Sequence, residues 1–156
     1  MRVGDTLASS AIVVRPAWAS FDACIRGLVD RLVSCGQLPQ PLAQPAVERI
    51  REREEMASTA MVDIGVSIPH ARLDGITGML LAMAVSSGGV YHVAAGLPIS
   101  VVALVLSSPA LTDAHLNFLS ALSLLLQSPR VRESLRSATT AEEVIRLVRS
   151  NEKSRA

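Results

Sequence analysis

Ile64-Gly65-Val66-Ser67-Ile68-Pro69-His70-Ala71-Arg72 reads as a short strand with a stiff end. Val66 and Ile68 alternate with Ser67 as strand residues do. Pro69 has no N–H to give to a ladder, so the strand is predicted to stop there, with His70 just beyond it. The proline ring fixes its own φ and biases Ile68 toward an extended conformation, which narrows the directions in which the imidazole can point. An unperturbed imidazole is largely neutral at pH 7, keeps one nitrogen lone pair and can carry a covalent intermediate. On these residues alone two readings stand: a hydrogen-bonded histidine at a strand end, or a reactive one.

Downstream, no Asp, Glu, Lys or Arg occurs from Ile76 to Thr112. A membrane-spanning helix needs roughly 20 uninterrupted apolar residues, whereas Gly88-Gly89, Gly96 and Pro98 cut this run into pieces of strand length. Met79 to Val85 and Ile99 to Leu106 therefore read as strands covered on both faces, with a short strand from Val90 to Val93 between them. His92, beside Tyr91 on that short strand, reads as a surface or edge histidine.

Helices flank these strands. Ser20 can cap a helix whose Phe21, Cys24, Ile25, Leu28, Leu32 and Cys35 recur at three and four, with Gly36 as its stop. Pro39, Pro41 and Pro45 make a stiff connection, and Pro45 suits the first turn of a second helix running to about Met56. After Ser108-Pro109, Thr112 or Asp113 can cap a helix on which His115, Phe118, Leu119, Leu122, Leu125 and Leu126 share one stripe. A short basic helix from Arg130 to Arg136 follows, and Thr140-Ala141-Glu142-Glu143 is a capping box for a last one. This order predicts an α/β sandwich around a central sheet, in one domain spanning 1–156. Residues 1–19, with one apolar patch at Ala11 to Val14, are expected to pack loosely, and residues 151–156 to fray.

Composition narrows the function. Fifteen basic and fourteen acidic side chains leave a net charge of +1, with no broad field to attract nucleic acid. Cys24 and Cys35 lie eleven apart in one predicted helix and cannot pair without destroying it, which predicts two buried thiols in a reducing compartment. The N-terminus lacks the pattern of a signal peptide, so a cytoplasmic location is expected.

Arg53-Glu54-Glu55-Met56-Ala57-Ser58-Thr59, followed by Gly65-Val66-Ser67-Ile68-Pro69-His70-Ala71, resembles the Arg-Glu, Ser-Thr and Gly-x-x-x-Pro-His motifs of one family. This is the fructose/mannitol-type IIA component (EIIA type 2) of the bacterial phosphoenolpyruvate-dependent phosphotransferase system, including its nitrogen-regulatory branch. The resemblance runs from the helix near residue 20 to the helix near residue 148. It implies a three-layer sandwich, a central mixed β-sheet with helices on both faces. It also implies that His70 takes a phosphoryl group from the phosphohistidine of an HPr-type phosphocarrier protein. The acceptor would be a IIB cysteine or, with phosphorylation used as a switch, a regulated partner protein; docking to a membrane transporter fits either. Arg53 falls where the family places an arginine beside the phosphorylated histidine, although its charged helix reads equally as a solvated face. His115, at a helix N-terminus that disfavours imidazolium, falls at the family's second histidine and would donate to a phosphoryl oxygen. Ser58 and Thr59 fall at its hydroxyl pair near the phosphate, or serve as turn formers. No metal and no cofactor are implied. One alternative is a non-catalytic docking module of the same fold with reduced or lost phosphotransfer; another is a metal site of His70, His92 and His115. The chain departs from the family at Ala60-Met61-Val62-Asp63-Ile64, where relatives carry glycines and of which only Gly65 survives.

Overall fold

The structure is a computed structural model that describes residues 2–153. Its elements in chain order are α1 (Val3–Thr6), β1 (Ile12–Val14), α2 (Phe21–Ser34), α3 (Ala43–Met56), β2 (Ala60–Met61), β3 (Val66–Ser67), β4 (His70–Arg72), β5 (Met79–Val85), β6 (Tyr91–His92), β7 (Pro98–Ile99), β8 (Val101–Ser107), α4 (Thr112–Gln127), α5 (Pro129–Arg136) and α6 (Ala141–Lys153). The main sheet runs β1-β5-β8-β3-β2, with β4 also on β8, and β6 and β7 form a separate hairpin. β1 is parallel to β5, β5 antiparallel to β8, β3 and β4 parallel to β8, and β2 antiparallel to β3. The sheet is thus mixed, as expected.

Strand alternation divides the core into two layers. Leu81, Met83, Val85, Val101, Ala103 and Val105 face α4, α5 and α6, where Phe118, Leu122 and Leu126 meet them. Ala82, Ala84, Val102, Leu104 and Leu106 face α2 and α3, against Ile25, Leu28, Leu32 and Ile50. Every residue of β8 is buried, which accounts for the uncharged run in the sequence. Among the described residues no helix is long and apolar enough to cross a membrane.

Four local expectations need correction. The first concerns residues 1–19, of which the described part, from residue 2, does not pack loosely: Val3, Leu7, Ala11 and Ile12 are buried, and β1 supplies a sheet edge by pairing Ile12 with Met83. The carboxylate of Glu152 accepts from the N–H groups of Val3 and Gly4, while Arg149 donates to the Gly4 carbonyl, so α6 clasps the N-terminal turn. At the other end Asn151, Glu152 and Lys153 continue α6, so of the segment expected to fray, 154–156 lies outside the described residues.

The second concerns His70, which begins a strand rather than following one. Val66 pairs with Val101, Ser67 with Val102 and His70 with Val105, a constant offset across Pro69. The missing proline N–H interrupts the ladder, but the Pro69 carbonyl still accepts from Val105 N–H, so the chain keeps its register. The third is that Ile99 belongs to β7, and the second buried strand proper begins at Val101. Fourth, α2 is capped by the Ser20 hydroxyl as expected but ends at Ser34, leaving Cys35 half-buried at its C-cap; Cys24 is fully buried and its thiol is pushed up to about 12 by burial.

The glycine-poor segment has its own solution. Ala60 and Met61 pair with Ser67 and Val66 as a hairpin, and Gly65 closes it with φ +69°, a conformation that glycine adopts without strain.

Candidate functional site

His70 and Arg72 alternate with buried Ala71 on β4, so both project on the face of the sheet that α4 covers. His115 sits in the first turn of α4, buried at 6% exposure, with its ring centroid 5.8 Å from that of His70. The expected capping of α4 by Thr112 or Asp113 is absent: Leu111 holds the N-cap position without a side-chain hydrogen bond. From the opposite layer the C-terminal turns of α3 bring Arg49 and Arg53. Together these side chains line a pocket of about 540 Å³, whose walls also include Glu52, Met56, Asp74, Pro109, Leu116 and Leu119.

The backbone fixes the orientation of His70. Its Nδ1 lies 2.8 Å from the Ile68 carbonyl oxygen, an acceptor only, so Nδ1 carries the proton and donates it. Nε2 of the neutral ring is then the nitrogen with the lone pair. Burial holds the His70 pKa below the usual imidazole value; the Ile68 bond opposes that, the Arg53 charge reinforces it and Glu54 opposes it. His115 is pushed down to about 4 by burial first, then by Arg72 and His70, and its Nδ1 contacts the Ser107 hydroxyl at 2.5 Å.

Three guanidiniums border these neutral rings. Arg53 donates to the Ala57 carbonyl and Arg72 to the Pro109 carbonyl, and among the described residues neither they nor Arg49 take part in an ion pair. A pocket with two imidazoles and unpaired arginines suits an anion with several oxygens.

Arg53, His70 and His115 thus come together, but Ser58 and Thr59 do not join them in the pocket lining. The carboxylate of Glu54 accepts from both hydroxyls and from the Thr59 N–H, ordering the turn that leaves α3. That bonding displaces the expectation that the hydroxyls complete a phosphate shell. His92 is exposed on the β6–β7 hairpin and does not line the pocket, and among the described residues no group of three His, Cys, Asp or Glu side chains is placed to hold a metal. Sequence reasoning missed two members, Arg72 and Ser107. Arg72 stood within the quoted stretch, and its alternation with His70 was the available signal; Ser107 fell just beyond the strand predicted from Ile99 to Leu106 and drew no reading.

The depressed imidazoles make stability depend on pH. Between about 4 and 6.5 the unfolded chain binds a proton at His115 that the folded chain refuses, so stability is complete above 6.5 and falls as the pH drops toward 4. The loss at this site is at most roughly 3 kcal/mol. Urea midpoints at pH 7 and 4.5 should therefore differ more in the parent than in His115→Gln; equal differences would contradict the assignment.

Similarity to known proteins runs along most of the chain. Residues 6–151 match the family model described as phosphoenolpyruvate-dependent sugar phosphotransferase system, EIIA 2. The chain is 33% identical over 113 residues to a nitrogen regulatory protein of Pseudomonas aeruginosa, covering 72% of this chain and 73% of the relative. It is 32% identical over 127 residues to the fructose-specific EIIA component of Haloferax volcanii, covering 81% and 80%. The crystal structure of nitrogen regulatory protein IIA-Ntr from Neisseria meningitidis superposes with a TM-score of 0.79 at 26% identity, covering 94% of this chain and 98% of the other. The chain belongs to the EIIA 2 family of the phosphoenolpyruvate-dependent sugar phosphotransferase system.

Proposed function

We propose that His70 Nε2 accepts a phosphoryl group from the phosphohistidine of an HPr-type phosphocarrier and then passes it to a IIB cysteine or holds it as a regulatory switch. The observation that carries this reading is the bond from His70 Nδ1 to the Ile68 carbonyl, which leaves Nε2 unprotonated beside the arginines. In the transfer the donor P–N bond breaks and its electron pair stays on the donor nitrogen. The Nε2 lone pair forms the new P–N bond, and the Nδ1 proton remains on His70, donated to Ile68.

Positioning and charge carry the rate of such a step, because little other covalent chemistry is needed. Arg53 receives phosphoryl oxygens, Arg72 borders the same pocket, and His115 donates to an oxygen from the α4 side. Exposed Met56 and Leu116 on the rim offer a partner apolar contact around the charged centre.

A regulatory use of the same phosphorylation is favoured by the nitrogen regulatory relatives and by the hairpin that replaces the glycine-rich segment. Incubation with phosphoenolpyruvate, enzyme I and phosphocarrier should give a stoichiometric, acid-labile phosphate on the chain. An unlabelled chain that still captures a regulated partner would favour the docking module instead.

A further inference from the structure

Ser107 is the last residue of β8 and fully buried, and its side chain alternates with Leu106 to face α4 rather than α2. Its carbonyl accepts from Leu73 N–H, which leaves the hydroxyl as its polar group without a backbone role. Among the described residues, that hydroxyl's hydrogen-bond partner is His115 Nδ1. The main chain that carries the ring is anchored too, because the His115 backbone N–H donates to the Leu111 carbonyl at the start of α4.

We propose that Ser107 is a positioning residue that fixes the tautomer of His115 by donating its hydroxyl hydrogen to Nδ1, so that the ring presents Nε2–H to the pocket. A neutral imidazole has one N–H. With the proton on Nδ1, Ser107 becomes the acceptor and its own hydroxyl hydrogen is left without a partner in a site closed to water. With the proton on Nε2, the hydroxyl hydrogen and the Nδ1 lone pair satisfy each other, and a donor is left for the pocket that His115 lines.

The two rings then hold opposite tautomers for two local reasons. His70 meets a carbonyl, which can only accept, so its proton is on Nδ1 and its lone pair on Nε2. His115 meets a hydroxyl that donates, so its proton is on Nε2. One ring is thereby a nucleophile and its neighbour a hydrogen-bond donor, and no charge has to be buried in either. Were both rings to show lone pairs, an incoming anion would meet repulsion from one of them.

The consequence for transfer rests on the relay reading above, whereas the tautomer itself does not. Long-range 1H–15N spectra of ¹⁵N-histidine-labelled protein should show His115 with a protonated Nε2 and a pyridine-type Nδ1. In Ser107→Ala the two nitrogens should move toward the mixed-tautomer position, and single-turnover transfer from phosphorylated phosphocarrier should slow about tenfold, the loss of one hydrogen bond's worth of preference. Ser107→Thr, which keeps the hydroxyl, should restore both. A protonated Nδ1 in the parent overturns the proposal even if the alanine variant does not fold, as does a Ser107→Ala protein with the parent's spectrum. A parent that accepts no phosphoryl group while showing the expected spectrum would instead sink the relay reading and leave the tautomer assignment supported.

Discussion

His70→Ala is expected to abolish acid-labile phosphorylation of the chain while leaving the fold intact. The half-buried imidazole sits at the pocket wall rather than in either apolar layer, so its removal opens no core cavity. Nothing nearby can replace its nucleophile: His115 Nδ1 is held by Ser107, and His92 does not line the pocket. The neutral His70 ring also predicts that labelling persists somewhat below pH 6.5, because burial and Arg53 keep the lone pair free where an exposed imidazole would protonate. Radiolabel retained on gels before and after acid treatment measures both effects. A His70→Ala protein labelled as fully as the parent would remove the basis of the account.

Arg53→Ala is expected to have the second largest effect, slowing transfer about 10² to 10³-fold, the usual cost of removing one preorganised donor from developing charge. Arg53→Lys should recover only part of it, since an ammonium cannot span two phosphoryl oxygens as the planar fork does. A further sign separates this from a structural defect. Arg53 contributes to the low His70 pKa, so the acid limb of the pH–rate profile should move to higher pH in Arg53→Ala. Single-turnover quench-flow across pH 5 to 8 gives the rate and the limb together, and an unmoved limb with a parental rate would show that Arg53 only decorates the rim.

Much of this arrangement was legible in the sequence where local physics decides it. Met79–Val85 is the strand the uncharged run predicts, and Ser20 caps α2 as its hydroxyl and the following periodicity require. His115 points inward because it shares the stripe of Phe118 and Leu122. Long-range partnerships were not legible. Ile12–Val14 is too short to announce a strand, and it becomes one only because Met83, some seventy residues on, offers a parallel edge. Pro69 looked like a strand end because the missing N–H is local, whereas the carbonyl that keeps the register needs Val105.

The candidate site followed the same division. Arg53, His70 and His115 were found by motif and helical phase, and the fold brings them to one pocket from α3, β4 and α4. Ser58 and Thr59 were close in sequence to the right place, but Glu54, one turn earlier, takes their hydrogens. Ser107 carried no signal, because a serine closing a strand has the same appearance whether or not an imidazole waits behind it.

The nitrogen that bears the phosphate is the most direct measurement of the whole. After phosphorylation of ¹⁵N-histidine-labelled protein, through-bond 15N–31P coupling should locate phosphorus on Nε2 of His70, with Nδ1 still protonated toward Ile68. Phosphorus on Nδ1 of that ring, or on His115 or His92, would contradict the account.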